Sequence, residues 1–252
     1  MKQEKECAMS NGKMNPFERL LKLLAAILKM VVDKVRDIEQ VNRYLQRVVD
    51  EEKFVLVIDA PPRAASVSTE PTGGHAAEWT RFYHEVFGLK VDLSKVELSP
   101  ERPGFGWAVF VAEGLTLNQV WAKCGELFPA ESYIGDDFDR AVPKNDRTSK
   151  TAYAKRFRNR VEADQEHKNV SANDLTKQDV QSITLLERIL LELWYFWKTG
   201  GGHLDLINVT LCAGSRCGDG DVPDVGWNDY QFQVCACGPD YSLGGLRARS
   251  AG

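Results

Sequence analysis

The sequence predicts an α+β protein, on three observations. Two segments begin with the capping-box pattern of a helix N-terminus, Thr116-Leu-Asn-Gln119 and Thr184-Leu-Leu-Glu187. Short runs with strand character follow the second of them, separated by Gly, Asp and Pro turns. A long amphipathic pattern lies before both. The chain of 252 residues is therefore long enough for one large domain with an N-terminal extension.

The N-terminal extension has its clearest helical periodicity over residues 17–50. A single Asn at an a position of a heptad pattern fixes the register of paired helices, so this segment predicts a homo-oligomer formed through residues 17–50. Additional apolar residues beside the seam also suit an amphipathic helix that packs on its own domain. The a/d seam consists of Leu21, Leu24, Leu28, Val31, Val35, Ile38, Asn42, Leu45 and Val49.

Domain boundaries follow from composition. Residues 54–60 are apolar and predict a buried strand, which completes a first unit over residues 1–60. Residues 61–75 are rich in Pro, Ser, Thr and Gly without periodicity, and this composition predicts a linker. The remaining residues, 76–252, form the main domain.

The main domain begins with alternating helices and strands, as the pattern of apolar residues, caps and turns indicates. Gly88 and Gly200 follow two of the helices in the position typical of a C-terminal cap. The elements predicted in order are a helix over 79–87, strands over 89–98 and 106–112, a helix from 117 to about 128, a strand over 152–161 and a helix over 184–198.

Four basic residues, Lys155, Arg156, Arg158 and Arg160, stand close together in the predicted strand over 152–161. An extended strand sends successive side chains to opposite faces, and acidic residues follow at once, so a solvated face is favoured over a nucleic-acid surface. The formal net charge of -4 agrees with the absence of a nucleic-acid partner.

The last fifty residues, 203–252, have an unusual composition, because they contain no Lys, Glu or Met. Gly, Asp, Ser, Cys, Tyr and Asn dominate instead, a vocabulary that provides adaptable contacts to a ligand. A loop-rich all-β segment is the plainer interpretation. Strands are predicted at 208–212, 222–227, 231–237 and 246–249.

Several separated motifs between residues 86 and 252 resemble an uncharacterised protein family that is abundant in small-genome bacteria of the candidate phyla. The motifs are Glu101–Trp107, Gly114–Thr116, Asn145–Arg147, Arg158–Asp164, Ser171–Leu175, Ile183–Arg188 and Leu211–Arg216. The C-terminal residues 212–252 also resemble the variable region of target proteins of diversity-generating retroelements. The ending Gly245–Ser250 is similar to the Gly-Phe-Arg-x-Ala-Arg close of such domains, with Leu246 in place of the usual aromatic residue and an altered Arg spacing.

This second resemblance implies a C-type-lectin-like domain at the C-terminus, preceded by the long N-terminal amphipathic helix. It also implies a non-catalytic protein that binds an unknown protein or small ligand at its C-terminal face. In such proteins adenine-directed mutagenesis rewrites Asn codons, which never become Lys, Glu, Met, Gln or Trp. The missing Lys, Glu and Met fit this rule, whereas Trp227, Gln231 and Gln233 must be fixed or lie in an irregular insert.

The resemblance divides residues 212–252 into two sets. The scaffold positions it implies include Gly214, Ser215, Arg216, Trp227, Pro239 and Arg247. The variable, ligand-binding positions that it implies are Cys217, Gly218, Asp221, Asp224, Gly226, Asn228, Asp229, Tyr230, Cys235, Cys237, Asp240, Tyr241 and Ser242.

Two alternatives remain open at this stage. Cys235 and Cys237 share a strand face, and lectin-like folds include a formylglycine-generating class of enzyme with paired Cys and copper, so a thiol- or metal-dependent enzyme is one alternative. A structural oligomer built on the N-terminal helix is the other. The cysteines lack a recognised metal-ligand spacing, so we expect no metal and no cofactor.

The N-terminal residues have no continuous apolar core of a signal peptide, and the longest apolar run, 20–32, is interrupted by Lys22 and Lys29. That run is too short to span a bilayer. We therefore expect no membrane span, a cytoplasmic location and reduced thiols.

Overall fold

The structure is a computed structural model, and it describes residues 72–228 and 231–252. These residues belong to one compact unit, Thr69–Gly252. The predictions for residues 1–60, for the oligomerisation helix over 17–50 and for residues 61–71 of the linker lie outside the described residues. The described part combines helices with sheets, which confirms the α+β class.

The helices are α1 (Thr72–Phe82), α2 (Leu117–Leu127), α3 (Phe138–Ala141), α4 (Ala172–Lys177) and α5 (Leu185–Thr199). A π-helical turn (Tyr83–Phe87) extends α1, and a short 3-10 turn (Gln165–His167) precedes α4. The strands are β1 (Trp107–Val111), β2 (Ala130–Ser132), β3 (Lys144–Asn145), β4 (Tyr153–Phe157), β5 (Val209–Leu211), β6 (Ser215–Arg216), β7 (Val222–Asn228), β8 (Gln231–Cys237) and β9 (Leu246–Ala248).

The main sheet has five strands in the order β2-β8-β7-β5-β9. The pairs β5–β7 and β7–β8 are antiparallel, whereas β2 runs parallel to β8 and β9 runs parallel to β5. Two antiparallel pairs, β1–β4 and β3–β6, lie outside it. The C-terminal residues thus supply four of the five strands of the main sheet.

Helix α5 is the centre of the hydrophobic core, and residues 185–194 are all buried. Its first turn has the predicted capping box: Thr184 Oγ1 accepts from the Glu187 backbone N–H at 3.2 Å, and a Glu187 carboxylate oxygen accepts from the Thr184 N–H at 2.8 Å. Gly200 ends the helix with a φ of 69°, which only glycine adopts without strain. Both predicted ends of this helix are therefore confirmed.

Strand β1 pairs with β4 along one edge, and side chains of α1 and of the π-helical turn cover its other edge. Trp79 Nε1 donates to the Ala108 carbonyl at 2.7 Å, and the Tyr83 hydroxyl donates to the Phe110 carbonyl at 2.8 Å. The Ala112 N–H donates in turn to the Tyr83 hydroxyl at 3.0 Å. Because buried backbone groups need partners, these bonds replace the missing neighbouring strand.

The predicted elements of the middle region need three corrections. Residues 89–98 form no strand, because the Ser94 N–H and hydroxyl both donate to Asp92 and turn the chain there. Strand β4 is shorter than the predicted strand over 152–161. Helix α1 begins at Thr72, so residues 72–75 are helical and do not belong to a linker.

Three of the four basic residues of the predicted strand over 152–161 bond within the chain. Arg156 Nε donates to the Ser99 carbonyl at 2.8 Å. Arg158 pairs with the Asp164 carboxylate, and Arg160 Nη1 lies 2.6 Å from a Glu166 carboxylate oxygen. These three guanidinium groups therefore bond to acceptors of their own chain.

Candidate functional site

The strands β7 and β8 expose one face of the main sheet. Their register pairs Asp224 with Cys235 and Asn228 with Gln231, and such directly paired residues point to the same side. The side chains of Val225, Phe232 and Val234 point to the opposite side and are buried in the core with α5. We call the first side the outer face: it consists of Val222, Asp224, Gly226, Asn228, Gln231, Gln233, Cys235 and Cys237.

Helix α4 covers part of the outer side of the sheet. Its Ala172 and Leu175 pack against apolar residues of β5 and β9 and against Val222 of β7. The outer face is more open toward the other ends of β7 and β8, where Asn228 is exposed and Gln231 and Gln233 are half-buried. A ligand that reaches this sheet from outside therefore meets amide side chains first.

A loop beside the outer face, residues 238–243, follows β8 directly, and we call it the outer loop. Tyr241 is 50% exposed, and Asp240 and Ser242 are also exposed. The loop is held in place from below, because the Asn173 N–H donates to the Pro239 carbonyl at 3.0 Å and Asn173 Nδ2 donates to an Asp240 carboxylate oxygen at 2.6 Å. Its exposed side chains thus stand on a fixed backbone.

The predicted variable positions differ in their exposure. Asp229 and Tyr230 lie outside the described residues. Those that are exposed are Gly218, Asn228, Asp240, Tyr241 and Ser242. Asp221, Asp224 and Cys237 are half-buried, and Cys217, Gly226 and Cys235 are buried.

The three buried positions correct the expectation that all of these residues are displayed. A Cβ on Gly226 would lie 3.0 Å from Val209 Cγ2 of the neighbouring strand, so a side chain at this position would have to displace Val209. Cys235 lies in the central pair of strands and is 5% exposed. Cys217 stands at the start of a tight turn, in which its N–H donates to the Asp221 carbonyl, and it packs into the main core.

Two of the expected scaffold positions lie where the main sheet meets the start of α5. A Cβ on Gly214 would meet the Ser182 carbonyl oxygen at 2.7 Å, so only glycine fits. The Ser215 hydroxyl donates to Asn145 Oδ1 at 2.5 Å and accepts from the Leu185 N–H at 2.9 Å. These contacts tie β6 to the first turn of α5.

The other four scaffold positions make backbone or core contacts. Trp227 points away from the outer face, and its Nε1 donates to a Glu192 carboxylate oxygen at 3.0 Å. Arg216 Nη1 donates to the carbonyls of Ala213 and Ser215, both at 2.7 Å. Pro239 accepts the bond from Asn173 described above, and Arg247 Nε donates to the Gly244 carbonyl at 3.3 Å.

A buried network of charges behind the sheet was not predicted from the sequence. The side chains of Arg188, Glu192 and Asp205 are all 0% exposed, and Arg188 bonds to both carboxylates, at 2.8 Å from Glu192 and 2.9 Å from Asp205. Arg249 Nη2 lies 2.7 Å from the other Asp205 oxygen. A buried charge persists only when it is paired and hydrogen-bonded, and each of these is.

The pKa values of Asp224 and Cys237, at one end of the outer face, and of Cys217 are shifted toward the neutral forms of these groups. Burial raises the pKa of Asp224 to about 7, although a hydrogen bond from Cys237 acts in the opposite direction. Burial also raises the pKa values of Cys217 and Cys237 to about 12. Because the thiolate is the nucleophile and the metal ligand, protonated thiols at neutral pH do not favour thiol chemistry here.

We expect Asp224 to make stability depend on pH. Its pKa is about 7 in the folded chain and near the ordinary 3.8 in the unfolded chain, so the folded state binds more protons between these values. The free energy of unfolding should therefore fall as pH rises from 5 to 8, by about 2–3 kcal/mol through this group. Asp224→Asn should remove this loss, which denaturant titrations at several pH values would measure. Asn228→Ala, on the same face and without an ionisable group, should parallel the unchanged chain; a parallel curve for Asp224→Asn as well would contradict the assignment.

A serine and a histidine that are distant in sequence also meet in the structure. His167 Nε2 lies 2.6 Å from Ser250 Oγ, and Arg158 Nη1 donates to the same hydroxyl at 3.0 Å. Desolvation lowers the pKa of His167, which favours a neutral ring. Asp164 accepts from the Ser250 N–H at 2.8 Å and from Arg158, so it does not act as the third member of a triad. These bonds fasten the C-terminal residues to the segment before α4.

No protein-family model, no curated protein and no solved structure matches the chain. Within residues 72–228 and 231–252, no three His, Cys, Asp or Glu side chains are grouped so as to hold a metal ion. In the same part of the chain, none of the helices has the length and apolar character that a membrane span requires.

Proposed function

We propose that this chain is a non-catalytic binding protein with a C-type-lectin-like domain at its C-terminus, whose ligand face is the open part of the outer face together with the outer loop. The observation that carries the proposal is a separation of roles within residues 203–252. One side of β7 and β8 builds the core with α5, whereas Asn228 on the other side and Asp240, Tyr241 and Ser242 in the loop are all exposed.

The chemistry of this surface suits recognition. A tyrosine, amides, a hydroxyl and a carboxylate offer hydrogen bonds and one large amphipathic contact, with short side chains that lose little entropy on binding. The surface carries no Lys or Glu from residues 203–252, and the one charged neighbour on β2, Glu131, is exposed at its edge. We infer that a protein or small ligand with its own hydrogen-bonding groups binds here.

We further propose that a retroelement diversifies this face. Substitutions at exposed positions on a fixed backbone usually change stability by no more than about 0.5 kcal/mol, so such a face can vary without loss of the fold. Gly226, Cys217 and Cys235 then belong to the fixed scaffold positions, because they are buried. Gln231 and Gln233, which adenine-directed changes cannot produce, are fixed residues of the outer face.

The alternative of a thiol-dependent enzyme draws no support from the thiols themselves, since burial raises the pKa values of Cys217 and Cys237 well above neutrality. The alternative of an oligomer built on the N-terminal helix depends on residues outside the described part. No observation on the described residues favours either alternative over the binding proposal.

Two measurements test the proposal. In the genome, we expect a template repeat and a reverse transcriptase gene next to this gene, and differences between close copies that fall at adenines of the codons for positions 228, 240, 241 and 242. A gene neighbourhood with neither element, together with differences spread evenly over the codons of buried and exposed residues, would falsify the proposal that a retroelement diversifies this face.

In the purified chain, the quadruple variant Asn228→Ser, Asp240→Asn, Tyr241→Ser and Ser242→Asn should unfold within about 1–2 kcal/mol of the unchanged protein, because these side chains lie outside the core. Gly226→Ser is the matched control, since it adds a side chain where Val209 already lies at 3.0 Å, and it should be destabilised by about 1–3 kcal/mol. If the quadruple variant lost more stability than Gly226→Ser, the outer face would be a structural surface.

A further inference from the structure

A polar cleft, of about 450 Å³, lies between the β3–β6 pair and the C-terminal end of α4. Its lining includes Lys144, Asp146, Asp179, Ser182 and Arg216, and none of its lining residues belongs to the outer face or the outer loop. A volume of several hundred Å³ is in the range of sites that hold small molecules. The three motifs Asn145–Arg147, Ser171–Leu175 and Leu211–Arg216 all reach this cleft, and the proposed ligand face does not use them.

The two cations of the cleft stand side by side because of the strand register. Lys144 pairs with Arg216, and Asn145 pairs with Ser215. The Asn145 and Ser215 side chains bond to each other at 2.5 Å on one side of the pair, so the alternation of strand side chains places Lys144 and Arg216 together on the other. Like charges directly opposite each other are unfavourable, and an anion bound between them would relieve the repulsion.

The guanidinium of Arg216 is fixed by hydrogen bonds from one of its nitrogens, and its other N–H groups remain available to a ligand. Its Nη1 donates to two carbonyls of its own turn, those of Ala213 and Ser215, at 2.7 Å each. Within the described residues, its Nε and Nη2 have no acceptor, and the Lys144 ammonium has none. A guanidinium with a fixed plane and free N–H groups matches the paired oxygens of a carboxylate or phosphate.

A buried hydroxyl group also belongs to the wall of the cleft. Ser182 is 2% exposed, lines the cleft, and its Oγ has no hydrogen-bond partner among the described residues. Buried polar side chains normally have a partner, so this hydroxyl is an unsatisfied polar group in the wall of the cleft. Beside it the Gly214 backbone packs directly against the Ser182 carbonyl, because a Cβ on Gly214 would lie 2.7 Å from that oxygen.

The two carboxylates of the cleft restrict the size and charge of the anion that it can bind. Asp146 and Asp179 are both exposed at its border, so the four charged groups that line it cancel. A polyanion such as a nucleic acid would meet these carboxylates over its length, whereas a single small oxyanion between Lys144 and Arg216 would not. We propose that the cleft binds a small oxyanion, the carboxylate or phosphate group of a small molecule, through Arg216 and Lys144.

Calorimetric titration of the full chain at constant ionic strength tests this assignment, with inorganic phosphate in one arm and acetate in the other. We expect saturable one-site binding in at least one arm, and the tighter arm identifies the group. Arg216→Gln should weaken it by about tenfold, the worth of a charge-assisted hydrogen bond, and Lys144→Gln by about threefold or more. Lys150→Gln, an exposed lysine that does not line the cleft, is the matched control and should bind like the unchanged protein.

Circular dichroism of each variant separates lost binding from lost folding. Because Arg216 also bonds to backbone carbonyls, its variant could unfold, and then Lys144→Gln, whose side chain is exposed, decides the outcome. Absence of saturable binding in both arms, or equal weakening by Lys150→Gln and Lys144→Gln, would overturn the proposal. Neither result bears on the outer face, because the two sites share no residue.

Discussion

Replacing Arg249 with alanine is expected to lower the free energy of unfolding by about 3–5 kcal/mol, as for the removal of one partner from a buried ion pair. The Arg249 side chain is 1% exposed and lies 2.7 Å from an Asp205 carboxylate oxygen. It also donates to the carbonyls of Arg160 and Val161, at 2.9 and 2.7 Å. Its loss leaves Asp205 with one buried cation in place of two, and leaves two carbonyls without these donors.

The matched control is Arg247→Ala, two residues earlier in the same C-terminal segment. Arg247 is half-buried, and its Nε makes one bond of 3.3 Å to the Gly244 carbonyl. We expect its removal to cost about 1 kcal/mol, which is typical of a single hydrogen bond. Denaturant unfolding of both variants measures the difference. Equal losses for the two arginines would show that the network around Asp205 contributes nothing beyond an ordinary surface contact.

The burial of Arg249 and of the charges around it could not be predicted from the sequence. The resemblance implied that Arg247 belongs to the scaffold, but nothing in the sequence indicated that Arg249 is the more deeply buried residue. Strand alternation separates two faces without saying which of them is covered. Arg188 and Glu192 carried the same ambiguity. A charged pair four residues apart on a helix usually faces solvent, and only the return of Asp205 and Arg249 against α5 makes it part of the core.

The strands of the outer face were predicted more closely. Runs over 222–227 and 231–237 were expected, and β7 and β8 occupy Val222–Asn228 and Gln231–Cys237. In the observed strands, alternation puts Trp227 on the core side and Asn228 on the open side. Helix α4 was not predicted, and since it covers Val222 and neighbouring strands, the burial of one end of this face was not predictable. The exposure of a strand residue depends on what packs over it, and a local pattern does not contain that information.

Glu187→Ala is the second substitution with a large expected effect, about 3–5 kcal/mol, because Glu187 has two roles at one position. As the third residue of α5 it accepts the Thr184 N–H at 2.8 Å and closes the capping box. The same carboxylate, 0% exposed, takes both Nε and Nη2 of Arg147, at 2.6 and 2.8 Å. Alanine would leave the Thr184 N–H without its acceptor, and it would leave a largely buried guanidinium without its counterion and with only the Ser182 carbonyl as acceptor.

The chain contains a natural control for the cap alone. Gln119 occupies the same position in the capping box of α2, where it accepts the Thr116 N–H at 2.9 Å, but it is exposed and forms no ion pair. We expect Gln119→Ala to cost about 1 kcal/mol, within the range for a lost cap. Glu187→Gln keeps an acceptor for Thr184 but loses the charge that Arg147 requires, so its loss should lie between the two. Thermal and denaturant unfolding of the three variants give the order, and a Glu187→Ala loss no larger than that of Gln119→Ala would mean that the bond to Arg147 adds nothing to the cap.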